Sequence, residues 1–185
     1  MGQTTAKNIP VLKDFIANKA SNVGLKKALG QLNLEDRKRV ENLSPDGWVP
    51  YELFFKFLKA GAAATGSEVH RFCEEFGAFQ VEHDLPFIYR AAIKFGGPGL
   101  MIMEADQLWK RYHNTGHLKT FDILKNSGKA RIEGHESGSP LLCSVVLGFI
   151  RHGLILAGAK DLTIEHSRCN FRGDDVCEYT AKWNN

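Results

Sequence analysis

Apolar residues change their spacing near Gly116. Before it they recur every three or four positions, the period of a helix face; after it they alternate as strands do. Residues 10–42 suggest short helices punctuated by Gly24, Gly30 and Asn33, and Ser44-Pro-Asp-Gly-Trp48 reads as a turn. Pro50 stands where a helix opens, with Leu53, Phe54, Phe57 and Leu58 on one stripe behind it. Ser67 and Glu68 start another helix, carrying Val69, Phe72, Cys73, Phe76, Phe79 and Val81. Residues 85–95 continue as helix and end at Gly96-Gly97-Pro98. Residues 99–115 are helical again and end at Gly116.

Beyond Gly116, Leu118–Leu124 alternates, a turn follows at Asn126-Ser-Gly-Lys129, and Ala130-Arg-Ile-Glu-Gly-His completes a β-hairpin. Ser139-Pro140 is a helix start. The helix behind it, 141–156, is apolar almost all round, which predicts burial, and Gly158 closes it. Leu162–His166 and Val176–Trp183 form a second hairpin. The expected fold is α+β. It has an N-terminal helical part plus a four-stranded antiparallel sheet made of two hairpins around a buried helix. One domain spans 1–185, divided into a helical part, 1–116, and a hairpin–helix–hairpin part, 117–183.

Composition narrows the function. With 43% hydrophobic and 24% charged residues, this is an ordinary globular chain, and a net charge of +3 gives no reason to expect a nucleic-acid partner. No apolar run reaches the length of a membrane span. The polar start, Met1-Gly-Gln-Thr-Thr-Ala6, is neither a signal peptide nor a myristoylation motif, so a cytoplasmic location is expected. The 12 Phe suit a wide apolar interior.

Candidate chemistry gathers near the C-terminus. His166-Ser-Arg-Cys169 and Cys177 lie within twelve residues, and Cys143 precedes them on the apolar helix. Thiolates and imidazole are the ligands of structural zinc, so Cys143, His166, Cys169 and Cys177 form a candidate metal set. The same residues also suit plainer roles. Cys143 sits in an apolar run, and Cys169 and Cys177 flank a turn across which they would face each other. In a regular strand His166 and Cys169 would point to opposite faces. A bulge would bring them together; without one, Glu165 is the better-placed ligand.

The stretch Gly148-Phe149, Gly158 and Cys169-x-x-x-Gly173-x-x-x-Cys177-x-Tyr179 resembles the 4-vinyl-reductase-type domain of hydrocarbon-binding proteins and phenol-responsive regulators. That superfamily shares its fold with TRAPP tethering subunits and haem-based nitric-oxide sensors. The resemblance covers 139–183. It implies a structural zinc on Cys143, His166, Cys169 and Cys177, with His166 where the phenol-sensing members use a carboxylate. It also implies an apolar or aromatic ligand. The Tyr-x-Ser-x-Arg signature of the haem sensors is absent, as is CxxCH, so haem is not expected.

For the ligand, the expected pocket lies among the helices, lined by Phe72, Phe76, Phe87 and Trp109, with His113 at its polar end. Gly96-Gly97-Pro98-Gly99 lacks the Lys-Ser/Thr of a phosphate loop and reads as an interhelical turn. No nucleophile–base motif appears. The expectation is a non-enzymatic, homodimeric sensor for an apolar small molecule. The alternatives are an interaction scaffold of TRAPP-subunit type and, from the superfamily's name alone, an enzyme acting on a tetrapyrrole vinyl group.

Overall fold

The computed structural model of the chain describes residues 2–84 and 87–184, and side chains outside 84–94. The α+β reading holds. The helices are α1 (Asn8–Gly30), α2 (Leu34–Asn42), α3 (Tyr51–Thr65), α4 (Val69–Asp84), α5 (Phe87–Met103), α6 (Ala105–Tyr112) and α7 (Leu141–Leu156). Two short strands, β1 (Gln3–Thr5) and β2 (Trp48–Pro50), pair with each other. Strands β3 (His117–Leu124), β4 (Ser127–Glu133), β5 (Lys160–Arg168) and β6 (Cys177–Asn184) form an antiparallel sheet in the order β3-β4-β6-β5. The two hairpins therefore meet through β4 and β6, and β6 is central. Its Cys177, Tyr179, Ala181 and Trp183 are all buried, the alternation of a strand with one face on the core.

Several boundaries differ from the sequence reading. Strands β1 and β2 are each too brief to show alternation. Helix α1 is one element broken at Ala20 and Ser21, where Ser21 takes φ 59°. The expected stop at Gly96-Gly97-Pro98 is a kink instead. Gly97 adopts φ 72°, and the helix resumes with Pro98 in its first turn, where proline's missing N–H costs nothing. The hairpin turn falls before Ser127. Gly128 is already in the ladder, where its lack of a side chain leaves room for Ile102.

Helix ends follow local chemistry. Glu68 accepts hydrogen bonds from the backbone N–H of His70 (2.9 Å) and Arg71 (2.8 Å), capping α4. Asn33 does the same for α2 through Asp36 N (2.7 Å).

Two cores result. The larger packs α1, α3 and α4 around tilted phenylalanines, with Phe15 5.0 Å from Phe72 and Phe54 5.9 Å from Phe76 between ring centroids. The smaller packs Met101, Leu108, Leu154 and Trp183 between α5, α6, α7 and the sheet. Helices α4 and α7 meet at reciprocal glycines. A Cβ on Gly148 would lie 1.9 Å from the Glu74 carbonyl oxygen, and one on Gly77 2.0 Å from that of Val145. This backbone contact sets the position of α7, which carries side chains of both sites described below.

Candidate metal centre and apolar cavity

The first site lies where the start of α7 meets the β5–β6 connection. One Cys or His ligand atom from each of Cys143, His166, Cys169 and Cys177 lies within 4.8 Å of all the others. Cys143 Sγ is 3.9 Å from Cys169 Sγ and 3.8 Å from Cys177 Sγ. A disulfide needs about 2.05 Å, and all four cysteines are free. Sulfurs placed tetrahedrally at Zn–S bonds of about 2.3 Å stand about 3.8 Å apart, so these thiols already have the spacing of a zinc site. The Nε2 of His166 is buried without a hydrogen-bond partner. Such an atom is costly unless something takes it up.

Local structure explains how His166 joins. The β5–β6 register shifts between His166 and Arg168, and this irregularity removes the parity conflict. Glu165 is exposed on the other face and takes no part. Beyond Cys169 the chain turns through a 3-10 segment, Asn170–Arg172, and Gly173 at φ 96°. Asp174 closes the turn by accepting from Cys169 N (2.7 Å). The ring of His166 stacks on Tyr179 at 4.4 Å and 8°. Tyr179 in turn donates its hydroxyl to Cys143 O (3.2 Å), tying the sheet to α7.

The thiols do not titrate alike. Cys143, donating to Cys177 in a desolvated site, is held well above the usual thiol range. Cys177 is drawn toward thiolate by that bond and by the imidazole of His135, whose Nε2 is 3.6 Å from its sulfur. Cys73 belongs to none of this. It is buried in the aromatic core, where burial pushes its pKa up to about 12.

The second site is a cavity of about 70 Å³ lined by side chains from α1, α3, α4, α5, α6, α7 and β3. It is apolar except for Asn8, Gln80, Tyr112 and His113. An adjoining cavity of about 40 Å³ shares Met101, Ala105, Leu118 and Ile150 with it and reaches Tyr179. Of the residues expected to line a pocket, Trp109 and His113 do so. Phe72 and Phe76 do not: fully buried, they interdigitate with Phe15 and Phe54 in the larger core. The side chain of Phe87 lies outside the described residues.

The donors are also engaged differently from the expectation. Trp109 gives its Nε1–H to Thr115 O (3.1 Å), so only its ring faces the cavity. The Nδ1 of His113 meets the Tyr51 hydroxyl at 2.7 Å, and its ring lies 4.0 Å from that of Trp109. Burial, and after it repulsion from His135, lowers the His113 pKa to about 3, so this imidazole is neutral near pH 7. Asn8 and Gln80 were not anticipated. Gln80 Nε2 donates to Asn8 Oδ1 (2.7 Å), Asn8 Nδ2 to Thr4 Oγ1 (2.7 Å), and Thr4 Oγ1 to Tyr112 O (2.9 Å). The signal was present: Gln80 interrupts the apolar stripe Phe79-Gln80-Val81.

No protein-family model matches the chain, and no curated protein matches its sequence. Solved structures do. An H-NOX protein from S. oneidensis in the Fe(II)NO ligation state superposes with a TM-score of 0.73 at 17% identity, over 98% of this chain and 99% of its own. The Fe(II) unliganded H-NOX protein from K. algicida gives 0.72 at 14% identity, over 98% and 97%. A mutant of T. Tengcongensis H-NOX gives 0.71 at 14%, over 98% of both. The chain has the H-NOX fold.

This corrects the expectation about haem. The matching S. oneidensis and K. algicida proteins hold iron in Fe(II)NO and Fe(II) states, and another of the matching structures concerns haem distortion in the H-NOX family. Missing local motifs were a poor guide, because haem held by one axial side chain in an apolar pocket requires no contiguous sequence pattern. Among the described residues, no helix is long and apolar enough to cross a membrane.

Proposed function

We propose that the chain is a cytoplasmic, non-enzymatic sensor domain whose small-molecule ligand occupies the apolar cavity against His113. The observation that carries this reading is an apolar cavity, inside the H-NOX fold, with one neutral imidazole on its wall. The donor suits haem iron. A neutral imidazole whose second nitrogen is fixed by a hydrogen bond is how proteins orient a metal-binding histidine, and Tyr51 provides that bond to His113. Haem, when bound, would supply iron able to take up a diatomic gas. His113 would hold it, Tyr51 would orient His113, and Trp109 would pack beside it. The present volume is smaller than the several hundred Å³ of pockets for large ligands, so a porphyrin requires the walls to part, whereas a single aromatic ring requires less.

The test is haemin titration of the purified full chain, with native mass spectrometry of what it carries on isolation. A Soret band saturating at one haem per chain, and weakened at least about tenfold by His113→Ala, upholds haem at His113. An apolar molecule retained at one per chain upholds the cavity with another occupant. If neither appears, the sensor reading falls and a TRAPP-type scaffold becomes the better one. The same spectra report whether the chain is the expected homodimer.

The second part of the reading is a structural zinc ion on Cys143, His166, Cys169 and Cys177. Its support is the 3.8–3.9 Å sulfur spacing and the unpartnered His166 Nε2. The likeness of Cys169-x-x-x-Gly173-x-x-x-Cys177 to 4-vinyl-reductase-type domains points the same way. Elemental analysis of protein made in zinc-supplemented medium is expected to give one zinc per chain. Less than about a tenth of that, with freely reactive thiols in the folded protein, removes it.

A further inference from the structure

We propose that His135 is a positioning residue of the metal centre, donating an Nε2–H hydrogen bond to the Cys177 thiolate. The inference rests on the zinc reading above and adds a residue outside the ligand set.

The need comes from charge. A zinc ion with three thiolates and one neutral imidazole carries a net charge of −1. Cys143, Cys169 and Cys177 are all buried, and a net charge held away from water is costly unless donors compensate it. The cations nearest in sequence are otherwise engaged. Arg168 pairs with Asp174 and Asp175, and Arg172 donates to the His166 carbonyl (2.6 Å). Asn170 Oδ1, 3.1 Å from Cys177 Sγ, is an acceptor for a thiol proton and offers a metal-bound thiolate nothing. Beside the backbone N–H of Asn170, the side-chain nitrogen outside the ligand set that meets a cluster sulfur, among the described residues, is His135 Nε2, 3.6 Å from Cys177 Sγ.

The ring is held in place for this task. His135 follows Gly134, which turns the chain out of β4 at φ 65°. The buried Ser137 hydroxyl has one proton to give, and directing it to His135 Nδ1 (3.1 Å) rather than to Ser139 O (3.4 Å) leaves the ring's own proton on Nε2. Phe171 stands 5.9 Å from the ring on one side, and Trp109 meets it edge to face at 6.5 Å. His135 is not a fifth ligand candidate, since its nitrogens fall outside the four-atom set. Through Trp109 it touches the wall of the cavity, so one side chain borders both sites.

The experiment uses the full chain loaded with cobalt(II) in place of zinc, comparing wild type, His135→Gln and His135→Phe. A hydrogen bond to a thiolate stabilises its donor electrons and raises the energy of the sulfur-to-cobalt charge-transfer band. His135→Phe keeps the ring and removes the donor. Its band is expected to move to lower energy, with cobalt bound about 10–100-fold more weakly. His135→Gln retains an N–H and is expected to keep the wild-type band and an affinity within about threefold. Coincident bands and affinities in all three proteins overturn the proposal. So does equal loss in both variants, which would make the ring's packing the cause. If wild type takes up no cobalt, the metal reading fails and this one with it. If wild type binds cobalt and only the variants fail to differ, the role of His135 alone is lost.

Discussion

The cysteine–histidine cluster and the apolar cavity lie at opposite extremes of construction. Three of the four cluster residues, His166, Cys169 and Cys177, come from twelve consecutive residues, shaped by one strand irregularity and one turn. The cavity draws its walls from Asn8 to Ile150, on six helices and a strand. Local chemistry shapes the first, and the second is the space left where long-range packing does not close. Helix α7 serves both, giving Cys143 to one and Leu142, Val145 and Val146 to the other. The two sites are therefore expected to fail under different perturbations, unless α7 itself moves.

The largest effect belongs to the cluster. Structural zinc contributes on the order of 10 kcal/mol at its site. Cys169→Ser is therefore expected to destabilise the protein by more than about 3 kcal/mol, and a strong chelator is expected to lower the wild-type melting temperature in the same way. Cys73→Ser, in the aromatic core, is expected to cost about 1–2 kcal/mol and to leave the chelator response unchanged. Thermal melts of the three proteins with and without chelator decide it. Equal losses that ignore the chelator would leave the cluster as an ordinary set of buried thiols.

Next comes the element the sites share. Gly148→Ala drives a methyl into the Glu74 carbonyl of α4, backbone against backbone, with no flexible side chain to yield. A cost of about 3 kcal/mol is expected, at the upper end for overpacking. Because α7 must shift, both zinc retention and cavity occupancy should weaken together. Gly30→Ala, at the end of α1 with no atom within 4 Å of the new Cβ, is expected to stay within about 1 kcal/mol of wild type. A Gly148→Ala protein with wild-type stability would show that the α4–α7 contact is looser than it looks.

The same contrast explains what can be read from the chain. Ser139-Pro140 and Gly158 bracket α7 by local signals, and the helix runs from Leu141 to Leu156 between them. That the cluster's residues come together is legible because three of them lie within twelve positions of one another. The cavity is not, and Phe72 and Phe76 show why. A stripe of phenylalanines looks the same whether it faces a void or other rings, and here Phe15 and Phe54 fill the space. Strands β1 and β2 escape a sequence reading because three residues cannot reveal a period of two. The kink at Gly97 reads as a helix end because Gly-Gly-Pro breaks the helix pattern without saying whether the chain turns away.

A pH effect sharpens the comparison from the cavity's side. In the unfolded chain His113 titrates near its ordinary value of 6.5, and in the folded protein its pKa is lowered to about 3. Above pH 6.5 it is neutral in both states and contributes nothing. Below that, the unfolded chain binds the proton and the folded chain does not, so stability falls as pH drops from 6.5 toward 3. The full shift corresponds to about 1.4 kcal/mol per pH unit; with the side chain only part-buried, a loss of about 1–2 kcal/mol between pH 6.5 and 4.5 is expected. Denaturant melts of wild type and His113→Gln across that range isolate the contribution from the carboxylates common to both. Parallel curves would mean that His113 takes its proton in the folded state, and the neutral donor on the cavity wall would be lost from the argument.

The smallest expected change in stability tests the cavity most directly. Val145 lines it from α7 while its carbonyl packs on Gly77 of α4, so its side chain can grow toward the empty space without disturbing the helix contact. Val145→Phe adds a volume the cavity largely accommodates, with apolar burial offsetting some crowding, and a net change within about 1 kcal/mol is expected. Ligand uptake responds differently, because a filled cavity excludes the occupant whatever its identity. Haemin binding, or the amount of co-purified molecule, should fall at least about tenfold, while the zinc content stays at one per chain. Leu108→Ala enlarges the same wall and should raise uptake of a small aromatic probe such as phenol, at a cavity cost of about 2–3 kcal/mol that bound probe partly restores. If Val145→Phe takes up as much ligand as wild type, the ligand sits elsewhere. The cavity then becomes a packing imperfection beside the cysteine–histidine cluster, and the difference between the two regions one of order rather than of function.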